Sequence, residues 1–467
     1  MTKILEKINQ ESINKFYNGY VYPIIISGLV LVGSLFGIEM FTLAIHTILI
    51  FGACLYSDSV KPFMISLCTF AYQVSRKNAP QRPYFSDFYT NKYVIAFIAA
   101  SAVLIIAGIV VFCVRRKIFA KISFKSTPLL LPVSIFSLSL LINGIFSGEW
   151  VFDNLVFGVI NVIVYFFFYV FFLHGFGENE TSSELASYFS YIAMLAGAIL
   201  SLQMIDLYLT SDTVISGGTI VKDQIVLGWG SWTVVALCFA VVIPLMFYGV
   251  LNNRYPWLYF GVATVTYVMT ILTMSRNALI FATLGYVSCV ILCCFVGKHK
   301  KAFRIITLTG IVAIAVLAFL LRDNIYTFFK DHFDRGLLSD NGRYPLWRDA
   351  FESFLESPIF GSGFYGINFD TYDQFGFVPK MAHQTILQIL GSMGIFGILA
   401  YGYYRVNTAI MVFKKPSVMK SIFAISILVL LLESMLDNFV FSVYPVMYYV
   451  ISRAIIGKSA REEEFIA

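Results

Sequence analysis

Apolar residues dominate this chain in long runs, broken by short clusters of charge rather than by a helical or strand alternation of inside and outside. Runs of this kind occur near residues 21–37, 40–56, 60–75, 93–114, 128–144, 152–173, 186–210 and 225–249. They continue near 257–274, 278–296, 303–321, 383–404, 418–436 and 439–456. A membrane-crossing helix needs ~20 mostly apolar residues, so the pattern predicts an all-α polytopic membrane protein with about 14 transmembrane helices. Composition agrees: of 467 residues, 58% are hydrophobic and only 13% charged, with mean hydropathy +0.79. A soluble domain carries ~25% charge, so an ordinary cytosolic enzyme, a nucleic-acid binder and a disordered chain are all excluded. The seven cysteines fall in apolar runs and read as small hydrophobes.

The net charge of +6 matters through its placement. Lys3, Lys7 and Lys15, the run Arg115 to Lys125, the cluster Lys298 to Arg304, Lys414 to Lys420 and the C-terminal Arg453, Lys458 and Arg461 all fall on one side when the runs alternate. The positive-inside rule makes that side cytoplasmic and puts both termini there. No cleavable signal is evident at the N-terminus, so the first run is expected to act as its own insertion signal. The loop at Arg76, Lys77, Arg82 and Lys92 is the exception, basic yet assigned outside. The expected organisation is an N-terminal bundle (1–224), helices carrying a Ser-Arg-Asn turn (225–321), a large extracytoplasmic loop (322–382) and C-terminal helices (383–467).

A connection of about 60 residues is long enough to be functional or structured. Leu346, Trp347, Ala350, Phe351, Phe354 and Leu355 form an apolar stripe at helical spacing, with Pro345 as first helical residue and Ser357-Pro358 as the stop. Arg343 stands just ahead of that N-terminus, where the macrodipole disfavours a cation unless an anion is bound; a plain loop pair with Asp340 is the simpler reading. Arg348 is explained by an i,i+4 pair with Glu352. Arg276 sits in the turn that must split the apolar stretch 257–296 at the outer face, against the positive-inside preference. His383 opens the run that leaves the loop. Asp206, Glu433 and Asp437 are intramembrane carboxyls, and Glu39 with His46 forms a candidate buried pair. Tyr365, Phe369, Tyr372 and Phe375 suit either sugar stacking or interfacial anchoring. Gly361-Ser362-Gly363-Phe364-Tyr365-Gly366 matches a dinucleotide fingerprint literally, but it follows a terminated helix, not a strand, and reads as a turn folding the loop back on the membrane.

Ser275-Arg276-Asn277-Ala278-Leu279, Gly342-Arg343-Tyr344-Pro345-Leu346-Trp347-Arg348-Asp349-Ala350, Pro358 to Gly363, Ala382-His383-Gln384-Thr385-Ile386-Leu387-Gln388 and Gly391 to Gly397 together resemble the O-antigen ligase/Wzy-type polysaccharide polymerase superfamily. The likeness covers about residues 225–405. Asn277, where a small residue is common, and Gln384, where Asn is frequent, depart from it. The resemblance implies a GT-C-like, metal-independent glycosyltransferase without cofactor. It would work at the outer face of the bacterial cytoplasmic membrane on undecaprenyl-pyrophosphate-linked oligosaccharide, with flippase and chain-length regulator proteins as partners. It implies Arg276 and Arg343, with Arg348 as a lesser candidate, on the lipid diphosphate, and His383 as the group that receives the acceptor's proton. Polymerase, ligase and flippase remain the alternatives; the chain lacks the two related halves common in transporters.

Overall fold

The computed structural model describes residues 2–79, 91–148, 150–216, 219–320, 322, 343–367, 369 and 381–466. The chain folds as helices α1 (Thr2–Asn18), α2 (Val21–Phe36), α3 (Glu39–Tyr56), α4 (Lys61–Thr69), α5 (Lys92–Arg115) and α6 (Leu130–Leu141). Then follow α7 (Phe152–Gly175, with a π-turn at Ile163–Phe167), α8 (Ser182–Thr210), α9 (Trp232–Asn252), α10 (Pro256–Leu272) and α11 (Arg276–Phe295). The remainder is α12 (Lys300–Leu320), α13 (Arg343–Glu356), α14 (Thr385–Phe413), α15 (Val418–Leu436) and α16 (Val443–Ile466). Two minimal hairpins, Ile215–Ser216 with Thr219–Ile220 and Val226–Leu227 with Gly230–Ser231, are the only strands among the described residues.

The expected count of about 14 membrane-spanning helices is corrected. Among the described residues eight helices are long and apolar enough to cross, or nine if the pair Gln10–Asn18 and Val21–Phe36, bent by 60°, is one span. The physical reason is that several apolar runs form short helices. Run 60–75 yields only the nine residues of α4 and a 3-10 turn, and run 128–144 the twelve of α6. Run 257–274 becomes the 17-residue α10.

The core centres on α9, 89% of whose apolar window is buried, surrounded by α8, α10, α11 and α15. Ser426 Oγ donates to Val241 C=O at 2.8 Å, in the turn ahead of Pro244, an interior proline that removes a helix N–H. All seven cysteines are free and buried, as small hydrophobes would be.

Polar contacts gather at two opposite ends. At the basic end, Asn18 Nδ2 donates to Asp58 (3.0 Å), Lys61 pairs with Glu180 (2.8 Å), Ser182 N donates to Glu462 (2.9 Å) and Lys420 pairs with Glu463 (2.8 Å). The first and last helices therefore end on the same side. At the other end Asn78 Nδ2 donates to Glu39 (2.7 Å), Arg76 pairs with Asp206 (3.6 Å) and Trp229 Nε1 donates to Gln203 (3.2 Å). The exceptional Arg76 thus stands opposite the basic clusters. Glu39 and His46 are both buried but partner other groups: His46 Nε2 lies 3.0 Å from Ser66 Oγ.

Candidate functional site

The turn that carries Arg276 is built by α10 and α11, an antiparallel hairpin in which Tyr267 meets Thr283 (2.8 Å) and Thr264 meets Tyr286 (2.8 Å). Between them Met274 takes φ +58°, a left-handed conformation uncommon for a side-chain-bearing residue. Tyr208 Oη donates to Leu272 C=O at 2.5 Å, satisfying one carbonyl at the end of α10. Arg276 is then the first residue of α11.

Arg343 is likewise the first residue of α13, two positions earlier than the helix start read from Pro345. Only part of the expected apolar stripe of α13 packs on α14: Leu346 and Ala350 share a buried cluster with Ile367, Phe369 and Ala382, with Leu387 against it, whereas Phe351 and Leu355 are exposed and Asp349 and Ser353 are buried instead. A Cβ at Gly391 would stand 2.7 Å from Ala350 C=O. Beyond the helix, Ser362 N donates to Gly391 C=O (2.8 Å), Gly363 N to Ser392 C=O (2.9 Å) and Ile395 N to Pro358 C=O (2.9 Å). From Ala350 at Gly391 to Pro358 at Ile395 the contacts advance along both segments, before residues 361–363 turn back to Gly391 and Ser392. Helices α13 and α14 therefore run side by side in the same direction, and Arg343 and His383 lie at the same end.

What permits this docking is a break in α14. Gly394 adopts φ +63° and ψ −159°, opening the helix so that residues 358–363 hydrogen-bond its freed backbone. Gly361 (φ +68°) and Gly363 (φ +89°) make the matching turn, and a Cβ on Gly361 would fall 2.2 Å from Ser392 carbonyl carbon. The glycine motif is thus a backbone turn against the membrane helix. On its far side Asn143 and Asn154 side chains accept from Phe364 N (3.2 Å) and Tyr365 N (2.8 Å).

His383 holds φ +50° and its Nδ1 lies 2.5 Å from Asp437 Oδ1, at the C-terminus of α15. Thr385 Oγ1 donates to Ser434 C=O (2.6 Å), and Gln388 Oε1 accepts from Ala382 N (2.7 Å) and Asn438 Nδ2 (3.1 Å). Gln384 caps α14 by accepting from Leu387 N at 2.5 Å. Glu433, one turn before Asp437, is buried with Oε1 unpaired.

Arg276 reaches the same level from another direction. Helix α11 runs parallel to α9 (Gly285 at Pro244, Phe247 against Tyr286) and α9 antiparallel to α15 (Val241 with Ser426, Tyr248 against Phe423). Gly285 faces Val429. Nine residues outward to Arg276 and eight to Asp437 are each about 12–14 Å of helix at 1.5 Å per residue. Among the described residues neither Arg276 nor Arg343 has an ion pair or a side-chain hydrogen bond, and both are half-buried. Arg348 differs: it is solvent-facing and held by Asp349 (3.3 Å) and Glu352 (3.7 Å), the latter the expected i,i+4 pair. Asp340, Tyr372 and Phe375 lie outside the described residues.

Two guanidinium groups without an ion pair among the described residues and an imidazole oriented by Asp437 thus stand at one end of the helical bundle. Residues 260–402 match the O-antigen ligase family model. No curated protein matches the chain. The O-antigen ligase match starts within α10 and ends within α14, so it includes the Arg276 turn, α13 and His383. It leaves out Asp437. The chain that carries this match has eight or nine candidate membrane spans among its described residues. Asp437 was suspect in the sequence only as one of several intramembrane carboxyls; its pairing with His383 spans 54 residues and has no local signal. Tyr365, a sugar-stacking candidate, packs on Phe157, and burial, with Asp153 adding to it, pushes its phenol up to about 12.

Proposed function

We propose that this protein is a surface-polysaccharide polymerase. It transfers glycan from an undecaprenyl-pyrophosphate donor to a second lipid-linked repeat unit at the outer face of the cytoplasmic membrane. The observation that carries this reading is the His383–Asp437 contact of 2.5 Å at the same level as the two uncommitted arginines.

In this mechanism His383 Nδ1–H donates to Asp437, which fixes the ring and leaves Nε2 free to accept a proton. The acceptor hydroxyl oxygen attacks the anomeric carbon while its proton passes to Nε2. The bond between that carbon and the pyrophosphate oxygen breaks, and its electron pair leaves with undecaprenyl pyrophosphate. Charge growing on the leaving group is met by the Arg276 and Arg343 guanidiniums, whose planar forks suit two phosphate oxygens each. Their positions as first residues of α11 and α13 add the unpaired backbone N–H groups of two helix N-termini. Prepositioned donors of this kind lower the barrier because they bind the transition state more tightly than the ground state.

A null strain separates this reading from a ligase. Loss of a polymerase leaves lipid-linked single repeats; loss of a ligase leaves long chains still on the lipid carrier. Accumulation of long unattached chains overturns the polymerase assignment and leaves the transfer chemistry intact. Full polymer production by a His383→Ala variant at matched protein level overturns the site.

A further inference from the structure

At the opposite, basic half of the bundle two arginines are buried together without an ion pair to a carboxylate among the described residues. Arg453 is fully buried, and Arg405 buries all three guanidinium nitrogens. Both lie over the same two rings: Arg405 is 5.0 Å from Tyr404 and 5.0 Å from Tyr449, and Arg453 is 5.0 and 5.3 Å from them. Tyr401 (4.6 Å) and Tyr169 (4.3 Å) close the cage. Arg453 Nη2 donates to Tyr165 C=O, in the π-turn of α7, at 2.8 Å. Its Nε and Nη1 have no hydrogen-bond partner among the described residues, and the polar groups beside the Arg405 fork are the hydroxyls of Tyr401 and Tyr449.

Ring faces attract cations, but they supply no counter-charge and accept no in-plane N–H bond. Buried ions ordinarily find an opposite charge and full hydrogen bonding. Here two guanidiniums converge on neutral phenols, and two nitrogens of Arg453 have no acceptor among the described residues. Arg453 stands five residues before Lys458, whose Nζ reaches Gly177 C=O at the basic end, and Arg405 stands nine before Lys414. At 1.5 Å per residue the pair lies about 8–13 Å inside that end. Arg405 also keeps part of its stem on the lipid-facing surface, beside exposed Tyr403, Val406 and Ile410.

We propose that Arg405 and Arg453 form a binding site for the phosphate of a membrane lipid in the inner leaflet, entered laterally past Arg405. The phosphate supplies the missing negative charge and in-plane acceptors for both forks. The site is separate from the outer-face arginines and does not depend on the transfer reaction proposed for them.

The full chain, purified in detergent and stripped of lipid, is titrated with phosphatidylglycerol, undecaprenyl phosphate and diacylglycerol of matched acyl chains. Bound lipid is counted by native mass spectrometry. The expected result is uptake of one phosphate lipid at least ~10-fold tighter than diacylglycerol, the difference being the charge-assisted contacts. Stronger uptake of phosphatidylglycerol identifies bulk lipid as the source; stronger uptake of undecaprenyl phosphate identifies a polyprenyl carrier. Arg405→Gln and Arg453→Gln, verified as monodisperse, lose that preference, and Arg405→Lys retains a part of it. Equal uptake of diacylglycerol by the wild type overturns the proposal without recourse to any variant. So does an undiminished preference in the double Gln variant, or a phenolate absorbance in the stripped wild type that disappears in Tyr404→Phe, which would make the Tyr404–Tyr449 pair the counter-charge.

Discussion

His383 Nδ1 and Asp437 Oδ1 lie 2.5 Å apart, one just ahead of α14 and the other just after α15, so that two helix ends are tied by one imidazole–carboxylate contact. The backbone at His383 is left-handed, and Thr385 anchors the next turn to Ser434. The ring orientation is therefore set from both sides.

Asp437→Asn tests that orientation. An amide at this position accepts less strongly and offers a competing N–H, which destabilises the tautomer with Nε2 free. Transfer from a lipid-linked donor is expected to fall ~10²-fold or more through kcat, with little change in KM, as for the orienting carboxylate of a catalytic triad. Equal loss in KM and none in kcat contradicts a positioning role.

For Arg276 and Arg343, lysine is the informative replacement. It keeps the charge and loses the fork. Activity is expected to drop about 10-fold for each Lys variant and ~10²-fold for each Ala variant. A Lys variant with wild-type kinetics in the reconstituted enzyme shows that bidentate diphosphate contact is not used at that position.

Gly361→Ala and Gly394→Ala attack the docking of the loop rather than its chemistry. The Gly361 Cβ would overlap Ser392 backbone, and the Gly394 Cβ would stand 2.5 Å from Ile359 backbone, both at positive φ. Each substitution is expected to cost about 1–3 kcal/mol locally. Proteolysis between α13 and α14 should accelerate while the thermal transition of the bundle in detergent shifts little.

Lys420 at the basic end gives a stability prediction independent of catalysis. Its buried ammonium is held by Glu463 at 2.8 Å and by the carbonyls of Lys414 (2.8 Å) and Lys415 (3.2 Å). Glu463→Gln removes the only carboxylate partner found for it among the described residues. A loss of about 1–3 kcal/mol is expected, read as a lower unfolding midpoint in detergent.

The sequence made the sidedness legible because charge placement is a local property: the basic clusters at 115–125, 298–304 and 414–420 mark one end, and Arg76 its exception. It also exposed Arg276, Arg343 and His383, which interrupt apolar runs or border them. Helix length was less legible. Apolarity alone does not distinguish a 12-residue helix such as α6 from a full span, because both bury the same side chains. The break at Gly394 was hidden, since glycine is common in membrane helices and only its partner segment reveals its use. Long-range pairs such as His383–Asp437 and Arg405–Arg453 were invisible for the same reason: nothing near either residue in the chain requires the other.

The wedge of residues 358–363 into the opened turn of α14 bears on how much change the loop tolerates. Its hydrogen bonds run from main chain to main chain, Ser362 and Gly363 to Gly391 and Ser392, Ile395 and Phe396 to Pro358 and Ile359. A clasp made this way is indifferent to most side chains around it. The solvent-facing positions of α13 can therefore be substituted without loosening the clasp, and Arg343 at its first residue keeps its place.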